Sequence, residues 1–111
     1  MMEYRIYSKG KFLCRAKIVN GWRAMLGLMF RIRLKKKDAL MLELPKHRVD
    51  IHSWFMFFPI DLFFLDEKFR VIEKASLSPW KIYLPKRRAK YLLEANKGEL
   101  KIGLGERLSV V

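Results

Sequence analysis

Apolar and polar residues alternate near the start of the chain. Phe12, Cys14, Ala16 and Ile18 take every second position, with Leu13 and two basic residues between them. This period of two predicts a half-buried strand. Ser8-Lys9-Gly10 precedes it and is typical of a turn in which glycine takes a positive φ. The pattern therefore predicts an N-terminal hairpin of Tyr4–Tyr7 with Phe12–Ile18, and Cys14 as an unreactive thiol on its buried face.

Two segments have the spacing of an amphipathic helix. Behind Asn20, a favourable N-cap, a short helix is predicted from Gly21 to Phe30. Its apolar stripe consists of Trp22, Met25, Leu26, Met29 and Phe30. A second helix is predicted after Pro85, with Ala89, Leu92 and Leu93 as its apolar side and Gly98 as its C-terminal cap.

The other apolar segments are predicted to be strands, since they are rich in β-branched and aromatic residues. They are Ala39–Leu44, Val49–Phe57, Ile60–Leu65, Phe69–Ala75, Lys81–Leu84, Glu99–Leu104 and Glu106–Val111. Val49–Phe57 is largely apolar on both faces, which predicts a central strand. Asp66-Glu67-Lys68 predicts a second hairpin between Ile60–Leu65 and Phe69–Ala75.

These elements define the expected fold class. It is α+β, mostly antiparallel β, forming a compact barrel-like or curved sheet with one or two short helices. The length of 111 residues fits a single domain spanning residues 1–111. Neither an internal repeat nor a linker interrupts the pattern.

The charge balance is strongly basic. The chain has 24 Lys and Arg against 11 Asp and Glu, a net charge of +13. Such an excess favours anionic partners, either a small molecule or a nucleic acid, but it also fits a generally basic, solvated surface. Charged residues make up 32% of the chain and Gln and Thr are absent, which is typical of heat-adapted proteins.

The sequence also predicts the cellular compartment of the protein. Cys14 is the single cysteine, so an intramolecular disulfide and a cysteine-based zinc cluster are excluded. Charged residues interrupt the first 19 positions, unlike the apolar part of a signal peptide. The longest apolar run, Ser53–Leu65, contains Pro59 and Asp61 and is shorter than the roughly 20 residues of a membrane span. We expect a cytoplasmic protein without a membrane span, and the oligomeric state stays open.

An anion site is the first candidate for function. Arg31, Arg87 and Arg88, with Lys86 in addition, are its predicted cations, and Trp80 is its apolar wall. Arginine suits this role because its planar guanidinium binds phosphate or carboxylate through two hydrogen bonds. Nucleic-acid binding is a further candidate that rests on charge alone, because no zinc knuckle or helix-turn-helix pattern is present.

A small enzyme is the alternative, with His52 and Asp61 as candidate catalytic residues. If the chain folds back near Pro59, the carboxylate of Asp61 is able to orient the imidazole of His52 as a general base. The competing interpretation is structural: Asp61 accepts hydrogen bonds from backbone N–H groups, and His52 is a hydrogen-bonded core residue. The sequence shows no cofactor motif, and His47 and His52 lack a carboxylate to complete a metal site.

Three stretches together resemble a known family. They are Gly27-Leu28-Met29-Phe30-Arg31, the run from Ile51 to Asp66, and Pro79-Trp80-Lys81 with Ala89–Gly98. The chain resembles the domain of unknown function 192 family (uncharacterised protein family 0127) over about residues 20–110. The resemblance implies a compact, mostly antiparallel β domain with one or two helices and no established activity. Many members have an Asn-Thr pair where this chain has Phe55 and Met56, and Gly-Asp where it has Gly105-Glu106.

Overall fold

The N-terminal hairpin forms as predicted. In a computed structural model that describes residues 3–20, 38–44, 51–52 and 58–111, β1 (Glu3–Ser8) pairs antiparallel with β2 (Lys11–Asn20). Lys9 and Gly10 connect them with φ values of 53° and 78°. Two successive positive φ values characterise the tight turns that match the twist of a hairpin. The side chain of Cys14 is buried, and this desolvation raises the pKa of its thiol to about 12, which agrees with an unreactive core cysteine.

The second predicted hairpin is also present. β5 (Ile60–Leu65) pairs antiparallel with β6 (Val71–Leu77). Asp66 closes the connection, since its side chain accepts hydrogen bonds from the backbone N–H groups of Lys68 and Arg70, both at 2.9 Å. An aspartate that binds the backbone of the residues after it is a common way to fix a turn.

The predicted helix after Pro85 is wrong. Residues Tyr91–Asn96 form strand β8, which lies between β5 and β3 (Asp38–Glu43) and pairs antiparallel with both. Leu92 and Leu93 are both fully buried although they lie on opposite faces of the strand. A short apolar run with burial on both sides fits a central strand as well as a helix stripe, and sheet pairing decides between them. Gly98, with a φ of 79°, lies in the turn after β8 rather than at a helix end.

The strands form one large sheet and one small sheet. The seven-stranded sheet has the order β6-β5-β8-β3-β2-β1-β9, with β3 at Asp38–Glu43 and β9 at Ser109–Val110. β2 and β3 run parallel, and the other pairs are antiparallel, so the sheet is mixed. The small sheet pairs β4 (Ile51–His52) with β7 (Ile82–Tyr83). The described part of Val49–Phe57 is therefore peripheral rather than central.

The mostly-strand character of the predicted fold class is confirmed, with a single parallel pair as an addition. The described residues contain no helix. The helix predicted over residues 21–30 lies outside the described residues, and the strand predictions for Ala39–Leu44 and Lys81–Leu84 agree with β3 and β7 within two residues at each end.

The large sheet curls because its C-terminal segment bridges toward the opposite edge. Backbone hydrogen bonds join Gly105 N to Val71 O and Val71 N to Glu106 O, each at 2.8 Å, and Leu108 N to Phe69 O at 2.9 Å. The same segment continues into β9, which pairs with β1. The predicted strand Glu99–Leu104 is wrong, since this segment consists of turns and irregular structure beside the sheet. The result is a half-barrel.

The two faces of the curled sheet each support a buried cluster. Ile6 of β1 and Val71 of β6 belong to one buried cluster on the inner face. The two residues lie near opposite edges of the sheet, so they share a cluster only because the sheet curls. The C-terminal segment contributes Leu100, Ile102 and Leu108 to this cluster. The outer face is the second cluster, and its buried members are Leu42, Phe58, Ile60, Leu62, Phe64, Leu77 and Leu92. Burial of apolar surface on both faces is what stabilises the sheet.

Candidate functional site

Three large apolar side chains are exposed along one short segment. Trp80, Ile82 and Leu84 are 45%, 53% and 63% exposed. Ile82 belongs to β7, Leu84 follows that strand, and Trp80 lies in the turn before it with a φ of 62°. The exposed cations of this segment are Lys81, Lys86, Arg87 and Arg88. Residues 80–88 are called the basic ridge below.

A buried carboxylate fixes the backbone of the basic ridge. Glu73 of β6 is 9% exposed and accepts hydrogen bonds from Lys86 N at 3.1 Å and from Arg87 N at 3.0 Å. It also accepts a hydrogen bond from the hydroxyl of Tyr83. The backbone N–H groups of Lys86 and Arg87 therefore bind an anion of the protein itself, the carboxylate of Glu73.

Tyr83 connects the basic ridge to the outer face. Its ring lies 5.8 Å from that of Phe64, centroid to centroid, at 32°. Its hydrogen bond to Glu73, with some desolvation, raises the pKa of the phenol to about 12. Tyr83 is thus a protonated donor to Glu73 across the neutral range, and it supports the ridge from below.

Four of the five predicted anion-site residues lie on one exposed segment. Trp80, Lys86, Arg87 and Arg88 all belong to the basic ridge. Arg31, the fifth, lies outside the described residues. Binding of a ligand by these side chains stays a prediction.

The proposed pair of His52 and Asp61 belongs to two different sheets. In the small sheet, His52 lies opposite Ile82, and its side chain is outside the described part of the chain. Asp61 lies on β5, and its two carboxylate oxygens accept hydrogen bonds from Ser76 Oγ at 2.6 Å and Gly98 N at 2.8 Å. Asp61 therefore fixes the β5–β6 pair and the turn after β8, and an approach of His52 to it stays a prediction.

A second buried glutamate was, like Glu73, missed by the sequence reasoning. Glu94 of β8 is 3% exposed on the outer face of the sheet, opposite Leu40 of β3 on one side and Leu62 of β5 on the other. Desolvation raises the pKa of its carboxyl from 4.5 to about 8. Its side chain has no hydrogen bond or ion pair with any other residue in ranges 3–20, 38–44 and 58–111. The signal was a lone glutamate inside the apolar run Leu92-Leu93-Glu94-Ala95.

The described part of the chain bears on metal binding and on membrane insertion. Within it, no three His, Cys, Asp or Glu side chains come together as metal ligands. Among those same residues, no helix has the length and apolar character needed to cross a membrane.

The fold and the candidate site together define a class of protein. The class is a small, basic, curled mixed sheet with an exposed cationic segment and two glutamates buried in its outer face. Residues 14–110 match the model of the DUF192 family, described as Uncharacterized ACR. The chain belongs to this family, as the resemblance in its three stretches predicted.

Similar proteins come from archaea of the genus Pyrococcus. A UPF0127 protein of Pyrococcus horikoshii is 45% identical over 76 residues, which cover 66% of this chain and 64% of the relative. A UPF0127 protein of Pyrococcus furiosus is 37% identical over 95 residues, which cover 80% of this chain and 79% of the relative. The matched part of the chain thus spans under two thirds of the P. horikoshii protein.

Two solved structures share the fold. A putative transcription regulator of Sinorhizobium meliloti has a TM-score of 0.84 at 18% identity, with 97% of this chain and 92% of that chain covered. A protein of unknown function from Novosphingobium aromaticivorans has a TM-score of 0.80 at 18% identity, with 96% and 83% covered. At this level of identity the likeness concerns the fold.

Proposed function

We propose that the protein is a binding module for an anionic ligand and that the basic ridge is its binding surface. The observation that carries this proposal is the exposure of Trp80, Ile82 and Leu84 on a segment that also presents four exposed cations. Glu73 holds the backbone of this segment from the buried side. A surface fixed before binding loses less conformational entropy when a ligand arrives.

The ligand that suits this surface has an anionic group on an apolar or aromatic body. The guanidinium groups of Arg87 and Arg88 suit phosphate or carboxylate oxygens. Trp80, exposed on the same segment, offers a flat apolar surface on which an aromatic ring is able to stack. The net charge of +13 adds a long-range attraction for anions, which salt screens.

The test compares three probes that separate the anionic from the aromatic part. AMP, adenosine and inorganic phosphate are titrated into the protein by calorimetry at low and physiological salt. We expect AMP to bind more tightly than either fragment, because it engages the arginines and Trp80 together. Equal binding of AMP and phosphate would remove the apolar wall from the proposal, and no binding of any probe would contradict it.

A pair of double variants separates a local site from general attraction. Arg87→Gln with Arg88→Gln removes two positive charges from the ridge, and Lys97→Gln with Lys101→Gln removes two from exposed positions elsewhere. We expect AMP to bind at least about tenfold more weakly to the ridge variant, as for the loss of a charge-assisted hydrogen bond, and within about twofold of normal to the control. Equal losses would show attraction by net charge alone.

The two alternatives from the sequence are separated by the same samples. For nucleic acid, a dT12 oligonucleotide would bind with an affinity that falls steeply with the logarithm of salt concentration, and the two double variants would lose it equally. For an enzyme, His52→Ala would abolish specific ligand binding without loss of folding. The hydrogen bonds of Asp61 to Ser76 and Gly98 support a structural role for that carboxylate instead.

We also infer a cytoplasmic, heat-adapted protein. The single cysteine supports a reducing compartment. The charge-rich composition and the relatives in Pyrococcus species support adaptation to heat.

A further inference from the structure

Two aliphatic side chains of the basic ridge, Ile82 and Leu84, are 53% and 63% exposed. Exposure alternates along this part of the chain, since Tyr83 between them is half-buried, Pro85 is buried and Lys86 is exposed again. Successive side chains of a strand point to opposite sides, so Ile82 lies on the side of β7 away from Tyr83. Exposed apolar side chains that cluster in this way often mark an interaction surface, whereas single ones are ordinary.

The inner side of the ridge is bound to the protein. The hydroxyl of Tyr83 and the backbone N–H groups of residues 86 and 87 all donate hydrogen bonds to Glu73. Turning Ile82 and Leu84 toward the core would require breaking these hydrogen bonds. The two aliphatic side chains are therefore held at the surface by the same contacts that fix the backbone.

The charges carried by this stretch of chain are all of one sign. Between Glu73 and Glu94 the sequence has six basic residues and no acidic one. The six exposed cations are Lys74, Lys81, Lys86, Arg87, Arg88 and Lys90. Lys90 forms an ion pair with Glu43 at 3.3 Å, and Glu73 binds the ridge from its buried side. An excess of positive charge remains on the segment that exposes Ile82 and Leu84.

This combination favours an anionic lipid surface over other anionic partners. A nucleic acid offers phosphates to the cations but no apolar phase to the aliphatic side chains. A stable protein–protein interface takes roughly 20–30 residues from each side, whereas the ridge consists of residues 80–88 alone. At a bilayer surface, cations bind lipid head groups while aliphatic side chains enter the boundary with the acyl chains. Tryptophan, here Trp80, is enriched at the same boundary.

We propose that the basic ridge docks on the surface of an anionic lipid bilayer. Ile82 and Leu84 insert among the head groups, and Arg87 and Arg88 bind lipid phosphates. The inference rests on the proposed function, since the phosphate is the anionic group of the ligand and the acyl chains are its apolar body. Docking of this kind is peripheral, because the ridge lies on the bilayer and does not cross it.

Sedimentation with vesicles tests the docking. The protein is mixed at low and physiological salt with vesicles of phosphatidylglycerol and phosphatidylcholine in equal parts, or of phosphatidylcholine alone. We expect the protein to sediment with the anionic vesicles and to stay in the supernatant with the neutral ones. Salt should weaken the binding without abolishing it, because salt screens the charges and not the apolar insertion.

A matched pair of leucine variants measures the apolar contribution. Leu84→Ser removes an aliphatic side chain of the ridge, and Leu104→Ser removes one that is 65% exposed on a turn elsewhere. We expect anionic vesicles to bind Leu84→Ser at least about fivefold more weakly, since a leucine contributes through the apolar area that the lipid covers. Leu104→Ser should stay within about twofold of normal. Both positions are exposed, so both variants are expected to fold.

The double variants already described measure the contribution of charge. We expect Arg87→Gln with Arg88→Gln to weaken vesicle binding at least about tenfold, because each cation at an anionic surface adds to the attraction. Lys97→Gln with Lys101→Gln should weaken it by about twofold or less.

Three outcomes overturn the inference. One is the absence of sedimentation with anionic vesicles at low salt. Another is an equal loss in Leu84→Ser and Leu104→Ser, which would show attraction by net charge alone. The third is binding of dT12 that Leu84→Ser weakens more than it weakens vesicle binding, which would assign the surface to nucleic acid.

The AMP titration separates failure of this inference from failure of the proposed function. AMP binding that depends on Arg87 and Arg88, without vesicle binding, would leave the anion site in place and overturn the bilayer alone. Absence of both AMP binding and vesicle binding would contradict both proposals.

Discussion

Glu73 and Glu94 are buried carboxyl groups on the outer face of the same sheet, and their environments are opposite. Glu73 accepts hydrogen bonds from Tyr83, Lys86 and Arg87. Glu94 lies between Leu40 and Leu62 and has no such donor among the described residues. Burial is similar, at 9% and 3% exposed, so it is the set of hydrogen-bond partners among the described residues that separates the two carboxyl groups.

Position in the sheet explains the difference. Glu73 lies on β6, the edge strand of the large sheet, and the basic ridge crosses beside it with N–H groups free of any ladder. Glu94 lies on β8, whose backbone is paired on both sides. A carboxyl over the middle of a sheet must therefore find a donor outside the sheet, whereas one near an edge receives it from the crossing chain.

Replacing Glu73 is expected to have the largest effect on stability. Glu73→Ala leaves the N–H groups of Lys86 and Arg87 and the hydroxyl of Tyr83 without their acceptor. The expected loss is about 3–5 kcal/mol in the free energy of unfolding, the usual cost of breaking a buried charged network. Urea denaturation measures it, with the exposed hairpin residue Glu67→Ala as a control that changes stability by about 0.5 kcal/mol or less.

The opposite result would break the contrast between the two acids. If Glu73→Ala unfolds with the same midpoint as the unmodified protein, the hydrogen bonds of the basic ridge to Glu73 do not hold it in place. A loss of the ridge without global unfolding would appear as faster amide exchange at Lys86 and Arg87 alone.

Glu94 is expected to affect stability in a pH-dependent way. Below pH 4.5 its carboxyl is protonated in both the folded and unfolded states. Between 4.5 and about 8 the unfolded chain loses the proton while the folded protein keeps it, so the free energy of unfolding falls as pH rises. Glu94→Gln lacks this effect, and its stability relative to the unmodified protein should rise by up to about 1.4 kcal/mol per pH unit.

Denaturation of both proteins at pH 4, 6 and 8 measures this slope. A constant difference between Glu94→Gln and the unmodified protein at all three values would contradict the raised pKa. Glu67→Gln, at the exposed hairpin tip, is the matched control for a glutamate whose replacement leaves the slope unchanged.

Tyr83→Phe tests one donor of the Glu73 network. The hydroxyl is lost while the ring still packs against Phe64. We expect a loss of about 1–2 kcal/mol, smaller than for Glu73→Ala because the two backbone N–H groups still donate to Glu73. Differential scanning calorimetry measures it, and a loss equal to that of Glu73→Ala would mean that the backbone donors contribute nothing.

The smallest effect on stability is expected from the arginines of the basic ridge. Arg87→Gln with Arg88→Gln should change the free energy of unfolding by about 0.5 kcal/mol or less, because both side chains are exposed and the backbone N–H of residue 87 still donates to Glu73. Urea denaturation checks this. A large loss would assign these side chains to the fold rather than to binding.

The parts of the fold that depend on local chemistry were predictable from the sequence. Gly10 takes a positive φ in the first turn, and the side chain of Asp66 accepts a backbone hydrogen bond in the second. Both hairpins were therefore predicted from the sequence. β8 was not, because its apolar run Leu92-Leu93 fits a helix stripe until its neighbours in the sheet are known. The parallel pairing of β2 with β3 likewise depends on contacts far apart in sequence.

The candidate site was predictable only in part. Trp80, Arg87 and Arg88, which were grouped by nearness in sequence, lie on one exposed segment, and their role in binding stays a prediction. The role of Glu73 was hidden, since its donors lie 13 and 14 positions along the chain. Glu94 was overlooked because in a helix it would have lain toward solvent, whereas in a central strand it is buried.

Titration of the Glu94 carboxyl by ¹³C NMR tests the contrast most directly. Each glutamate side-chain carboxyl is labelled, the Glu94 signal is assigned by its absence in Glu94→Gln, and chemical shifts are followed from pH 3 to pH 9. We predict a midpoint near 8 for Glu94, because burial between Leu40 and Leu62 disfavours its charged form. A midpoint near 4.5 would show a solvated or paired carboxylate and would contradict the account of Glu94 as a desolvated acid without a donor among the described residues.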